Sequence, residues 1–290
     1  MNVKNNKKIG FVVDSTIGDN IDVNFLDDIC IVPLSIILNG KECLDKKDNS
    51  FFLDCLKKKQ QITTSQPNPQ LFLKAFRKQL DAGYEHIVCV TISQKLSGTF
   101  NSACKAKQIL DKNNITVIDS ENIGPGMLFA IKKIHKYVYN TDLSYKEIFS
   151  KVIDELKLAI CYFSLDDLKQ LVISKRISKF NFFIGNFLKI KPILKFQKGI
   201  FTIEKNVRLR KNCFLYLIKC ILKFKDSVSK EPIELKMMYV EDDIYLKELI
   251  QEISKLNDPS IKISMYGPVS PIIAVHLGSK GFGFYVNTLI

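Results

Sequence analysis

In the first half of this chain, apolar runs of strand length alternate with apolar-periodic segments of helix length, and three of the strand-like runs stop abruptly in small polar residues. Residues 9–13 (IGFVV) end in Asp14-Ser15-Thr16, residues 87–92 (IVCVTI) lead into Ser93 to Thr99, and residues 115–118 (ITVI) end in Asp119-Ser120. Between them, Leu71, Phe72, Ala75, Phe76 and Leu80 recur at helical spacing, and 99–110 reads as a further helix. Residues 48–59 do the same with Phe51, Phe52, Cys55 and Leu56, and 29–38 (ICIVPLSIIL) is β-rich and followed by the turn signal Asn39-Gly40. Strand and helix in alternation imply a parallel α/β sheet. Ligands of open parallel sheets sit beyond the carboxyl ends of the strands, so the three polar strand ends are expected together at one edge.

The character changes near Phe163. Residues 165–172 read as helical, and Phe180, Phe183, Ile184, Phe187 and Leu188 form a strongly apolar helix face. Two β-rich runs, 190–196 and 200–204, flank Gln197-Lys198-Gly199 as a hairpin. Helices are expected over 211–225 and 243–256, with a strand at 233–240 between them and an apolar, Gly-rich segment, 269–286, at the end. The expected architecture is therefore α/β in two lobes. Residues 1–163 form an N-terminal lobe with a mostly parallel sheet flanked by helices. Residues 164–290 form a C-terminal α/β lobe with a mixed or antiparallel sheet.

Composition narrows the function. Hydrophobic residues at 46% and charged residues at 25% exclude a disordered or fibrous chain. Lys+Arg of 43 against Asp+Glu of 30 gives +13, but the only arginines are Arg77, Arg176, Arg208 and Arg210. Base readers lean on arginine forks, so this lysine excess reads as solvated surface rather than a nucleic-acid interface. The eight cysteines contain no C-x-x-C, which suits reduced thiols in a cytoplasmic protein. The basic N-terminus lacks the apolar stretch of a signal peptide. The uncharged stretch 263–279 is broken by Gly267, Pro268 and Pro271 and is short for a membrane span.

Several catalytic signatures are missing. There is no P-loop, no H-E-x-x-H and no G-x-S-x-G, and Gly124-Pro125-Gly126 lacks the third glycine of a dinucleotide fingerprint. His86, His135 and His276 share no metal-ligand spacing, so no metal or cofactor is expected. Three polar segments remain. Thr63-Thr64-Ser65-Gln66-Pro67-Asn68-Pro69 reads as a helix start with hydroxyl caps and first-turn prolines. It equally offers several donors at a helix N-terminus, where an anion is favoured. Ser93 to Ala103 (SQKLSGTFNSA) joins a buried strand to a helix. There Gly98 permits close approach and Ser97, Thr99 and Asn101 are small donors, or simple caps. Finally, His276 sits in an apolar run before Gly278, either as a core histidine or as a ligand contact. Together these supply many donors but no activated nucleophile, which describes recognition of an anionic head group.

At these residues the chain resembles the DegV family of bacterial fatty-acid-binding proteins. The ordered series comprises Asp14-Ser15-Thr16, Val32-Pro33-Leu34, Thr64-Ser65-Gln66-Pro67, Leu96-Ser97-Gly98-Thr99 with Asn101-Ser102-Ala103, and Asp119-Ser120. It continues with Arg176-Ile177-Ser178, the run 188–194 (LKIKPIL), Gly199, Gly267-Pro268 and His276-Leu277-Gly278. The resemblance implies one DegV domain over about 8–288, with a long-chain fatty acid such as palmitate or oleate held between two lobes. It also implies a carrier rather than an enzyme, presenting the carboxylate to a fatty acid kinase for phosphorylation and so serving phospholipid metabolism. By the same resemblance Thr64 and Ser97 are the carboxylate-contacting hydroxyls. Arg176 and His276 fall near the head group, as do Thr63, Ser93 and Asn101. The chain departs from the family pattern at Ser174-Lys175, where two glycines are usual, and at Ser279-Lys280 after Gly278.

A fatty-acid site is physically reasonable. Burying a sixteen-carbon tail at ~0.8 kcal/mol per CH₂ supplies on the order of 10 kcal/mol gross, much of it offset by lost freedom. The twenty phenylalanines, with the 180–188 face, could line the tail or form ordinary core. Two rivals stand beside this reading. One is a serine hydrolase acting on an acyl ester through Ser97, His276 and Asp14. The other is a basic nucleic-acid binder, whose affinity would fall steeply with salt. The lysine surface could also support transient contact with an anionic membrane.

Overall fold

The computed structural model describes residues 9–18, 23–26, 28–43, 49–166, 168–177, 190–229 and 231–289. Along the chain, β1 (Ile9–Asp14) runs into a 3-10 turn (Ser15–Ile17) and is followed by β2 (Ile29–Val32), β3 (Ser35–Leu38) and β4 (Lys41–Cys43). Next come α1 (Asn49–Lys57), β5 (Ile62–Ser65), α2 (Pro69–Asp81), β6 (His86–Thr91), α3 (Thr99–Leu110), β7 (Ile115–Asp119), α4 (Gly124–Asn140) and α5 (Tyr145–Leu158). The remainder is β8 (Ile160–Leu165), α6 (Lys169–Ile173), β9 (Lys191–Gln197), β10 (Ile200–Val207), α7 (Arg210–Ser227), β11 (Ile233–Tyr239), α8 (Ile244–Ser254), β12 (Ile261–Pro268), α9 (Pro271–Leu277) and β13 (Gly281–Thr288).

Two compact units divide the chain. The first takes the described residues up to Ser35 together with Ser65–Leu158, and the second takes Ile36–Thr64 and Ala159–Leu289. A single cut at residue 163 does not describe this division. Residues 36–64 leave the first half of the chain for the second unit, which resumes at Ala159, before β8.

The first unit holds a four-stranded sheet in the order β2-β1-β6-β7, every pair parallel. Every residue of β1 is buried, and β6 is buried after His86, as strands covered on both faces must be. Phe72 and Phe76 of α2 and Ala103 and Ala106 of α3 pack on Val12, Val32, Ile87 and Cys89. α4 lies against β1 and β6, with α5 packed on it. The ends of β1, β6 and β7 thus share one sheet edge. α2 starts where its chemistry dictates: the Asn68 side chain accepts from the Gln70 N–H at 3.0 Å, and Pro69 takes the first helical position.

The β-rich run 29–38 is two strands in two sheets. Pro33 has no N–H to continue a ladder, and the Leu34 N–H donates instead to Ser15 Oγ at 2.9 Å. β2 joins the parallel sheet. β3 turns back through Asn39 and Gly40, both at positive φ, to pair antiparallel with β4 in a small sheet ordered β4-β3-β5.

The second unit holds a six-stranded mixed sheet, β10-β9-β8-β13-β11-β12, in which only β11 and β12 run parallel. Leu217 and Ile221 of α7 and Leu249 of α8 pack with Ile193, Leu235, Met237 and Phe284 of the sheet. At Gly283 a Cβ would fall 1.9 Å from the Tyr162 carbonyl oxygen, so only glycine lets β13 and β8 approach as they do. The helix expected over 165–172 begins later, at Lys169, because Leu165 completes β8 opposite Gly281. Residues 269–286 resolve into α9 and β13. The apolar face at Phe180 to Leu188 lies outside the described residues.

Candidate functional site

The strand-end loop of the first unit is hung from three anchors outside it, at Asp14, Asn122 and Asp119. Asp14, fully buried at the end of β1, accepts from the Thr16 N–H at 3.0 Å, the Thr16 hydroxyl at 2.5 Å and the Ile92 N–H at 2.7 Å. Burial pushes its carboxyl up to about 6, against the lowering effect of those bonds. The Ser93 N–H donates to the Asn122 carbonyl at 3.0 Å, and the Gln94 N–H to Asp119 Oδ1 at 3.1 Å. Ser93 itself is fully buried. Its hydroxyl accepts from the Lys95 N–H and its carbonyl from the Leu96 and Ser97 N–H groups.

This turn delivers Ser97, half-buried, to the start of α3. Ser97 Oγ lies 2.8 Å from Thr99 Oγ1, and Thr99 is buried. Asn101 is exposed on α3. Gly98 caps the helix without a side-chain bond of its own. Gln66, just beyond β5, lays its amide over that glycine and donates from Nε2 to Ser102 Oγ at 2.9 Å.

In the second unit, Thr64 Oγ1 on β5 lies 2.7 Å from His276 Nε2 on α9. Burial first, and the Arg176 charge second, bring the His276 ring down to about 4, so it is neutral near pH 7. Arg176 follows α6 and donates from Nη1 to the Ser174 carbonyl; burial lowers its own pKa. Strand alternation puts Thr63 on the opposite face of β5 from Thr64, and Thr63 is exposed. Lys175 has φ 58°, in the left-handed region that favours glycine.

The structure therefore brings Thr64, His276 and Arg176 together in the second unit and places Ser93, Ser97 and Asn101 along one loop and helix start of the first. Two contributors escaped the sequence: Gln66 as a partner of Gly98, and Asp14 as an anchor for Ile92. Gln66 had a local signal only in Gly98, a glycine that no turn type requires, and Asp14 only in its place at the polar end of a strand. The oxygens of Asp14 bond to Thr16 and Ile92 rather than to a histidine. Among the described residues no three His, Cys, Asp or Glu side chains gather as a metal site, and no helix is long and apolar enough to cross a membrane.

The family profile described as "Uncharacterised protein, DegV family" matches residues 8–288. A DegV domain-containing protein of Clostridium acetobutylicum is 32% identical over 284 residues, covering 96% of this chain and 98% of its own. Among solved structures, a DegV family protein from Thermus thermophilus, described by its fatty acid binding, superposes with a TM-score of 0.85 at 24% identity, over 97% of this chain and all of the other. DegV from Bacillus subtilis, described as a fatty acid binding protein, gives 0.81 at 25% identity, over 98% of this chain and 100% of its own. A stearic acid-binding protein from Eubacterium ventriosum gives 0.83 at 24%, over 97% and 98%.

Proposed function

This chain belongs to the DegV family, and from that premise we propose that it binds one long-chain free fatty acid and presents its carboxylate to a fatty acid kinase. Thr64 and Ser97 are the hydroxyls that donate to the carboxylate. The observation that carries this reading is the bond between Thr64 Oγ1 and a neutral, partly buried His276. A neutral ring with its proton on Nε2 donates to Thr64, which leaves the threonine's own proton free for an anion. A carboxylate drawn out of water without partners is heavily penalised, and each charge-assisted bond returns about 1.5–3 kcal/mol. The positive Arg176 in the same unit adds favourable potential.

In this reading the chain is a carrier without catalysis of its own, working in the cytoplasm, and the carboxylate is phosphorylated by the partner to serve phospholipid synthesis. Eight free cysteines suit a reducing compartment. The +13 charge supports brief contact with an anionic membrane while lipid is exchanged. Organic extraction of the purified protein followed by mass spectrometry is the test. A co-purified fatty acid, and uptake of C14–C18 acids by lipid-free protein, are the expected results. Protein that takes up none of these acids is not a fatty-acid carrier.

A further inference from the structure

We propose that Gln66 is a positioning residue, clasping the turn that carries Ser97 through the notch left at Gly98. The backbone does not need glycine there: φ −71° and ψ 7° are open to any residue. Space does. A Cβ on Gly98 would meet Gln66 Oε1 at 1.7 Å and Cδ at 2.6 Å. The missing side chain is filled by another residue's amide, whose Nε2 reaches on to Ser102 Oγ, 2.9 Å away in the first turn of α3. Its N-cap glycine has no side chain to cap with, and Ser97 Oγ accepts from the Thr99 N–H only at 3.4 Å. Weakly capped helix ends fray, and a frayed first turn would loosen the Ser97 hydroxyl, which is bonded to Thr99 within it. Gln66 supplies from outside the helix the restraint that Gly98 cannot. The role of this clasp in holding the Ser97 hydroxyl for a carboxylate rests on the fatty-acid reading.

The far end of a glutamine can swing away, so Gly98→Ala expels the amide from the notch rather than breaking the fold. It should therefore reproduce Gln66→Ala. The two single variants and the double variant are compared for palmitate binding, hexadecanol binding and hydrogen exchange of the 97–102 amides. Each single variant should weaken palmitate about two- to ten-fold and leave hexadecanol within about two-fold. Exchange should quicken in the same amides in both, and the double variant should be no worse than either, since both substitutions open one clasp. Additive losses, or a Gln66→Ala protein with unchanged palmitate affinity and unchanged exchange, would overturn the proposal. If the parent protein takes up no fatty acid, the carrier reading falls. The exchange cycle then decides the clasp alone: non-additive quickening sustains it and unchanged exchange refutes it.

Discussion

Thr64 and His276, 212 residues apart in sequence, meet at 2.7 Å through Oγ1 and Nε2. Burial and the nearby Arg176 charge hold the histidine's folded pKa near 4, against 6.5 for the free side chain. Below 6.5 the unfolded chain therefore takes up a proton that the folded chain refuses until about pH 4. Stability must fall as pH drops through that window. Replacing the ring by an uncharged hydrogen-bonding group, His276→Gln, should flatten that fall. Urea midpoints at pH 7 and pH 5 measure it, and equal losses in the parent and the variant would show that His276 does not titrate this way.

The two proposed carboxylate donors give a second prediction. Thr64→Val keeps the side-chain shape and Ser97→Ala removes one oxygen. Each should weaken palmitate binding by roughly 1.5–3 kcal/mol, about ten- to a hundred-fold, with little change in the thermal midpoint. Losses in the double variant should be less than additive if, as proposed, the two donors share one acceptor group. A fatty alcohol of equal length should be much less affected. Equal losses for acid and alcohol would leave both hydroxyls as loop builders only.

Much of this fold was legible because it is written locally. The run 87–92 announces a strand buried on both faces, and the prolines around Asn68 announce a helix start, although the cap is the Asn68 amide rather than the hydroxyls expected there. What stayed hidden depends on pairing across sequence. Pro33 divides an apparently single run, and each half finds its own sheet. Leu165 looks helical but is claimed by Gly281. No local signal sends 36–64 to the second unit. The site divides likewise. Donor-rich loops at Thr64 and Ser97 could be read as anion sites or as caps. The histidine that partners Thr64 and the amide that fills the Gly98 notch are tertiary facts with no spacing to betray them.

Asp14 offers a test of how the Ser97 loop is anchored. Asp14→Ala leaves the Thr16 and Ile92 N–H groups unpaired in a buried place, at a cost of about 1–3 kcal/mol for each. Its pH signature is opposite to that of His276. With a folded pKa of about 6 against 3.8, the folded chain binds the proton first, so the carboxyl's contribution to stability grows as pH falls from about 6 to about 4. The gap between parent and variant in urea midpoint should be wider at pH 5 than at pH 7. A gap that narrows would mean that Asp14 stays ionised throughout.

The last prediction concerns the pair buried on β11. Lys236 Nζ lies 3.0 Å from Glu234 Oε1, which also accepts from Ser264 Oγ at 2.8 Å on β12, and both side chains are about a tenth exposed. Burial pushes the Glu234 carboxyl up, but the Lys236 charge and the two hydrogen bonds outweigh it and leave it below the usual range. Its contribution is thus present above the ordinary carboxylate pKa and is lost as pH falls through the folded value. Removing one partner strands a charge among apolar strands. Lys236→Met should cost about 3–5 kcal/mol, the range for breaking a buried pair. Adding Glu234→Gln removes the stranded charge while keeping an acceptor for Ser264, so the double variant should recover much of the loss. Urea unfolding of the parent, the single and the double variants at pH 7 gives the comparison. A double variant less stable than Lys236→Met would mean that Glu234 contributes independently of its lysine.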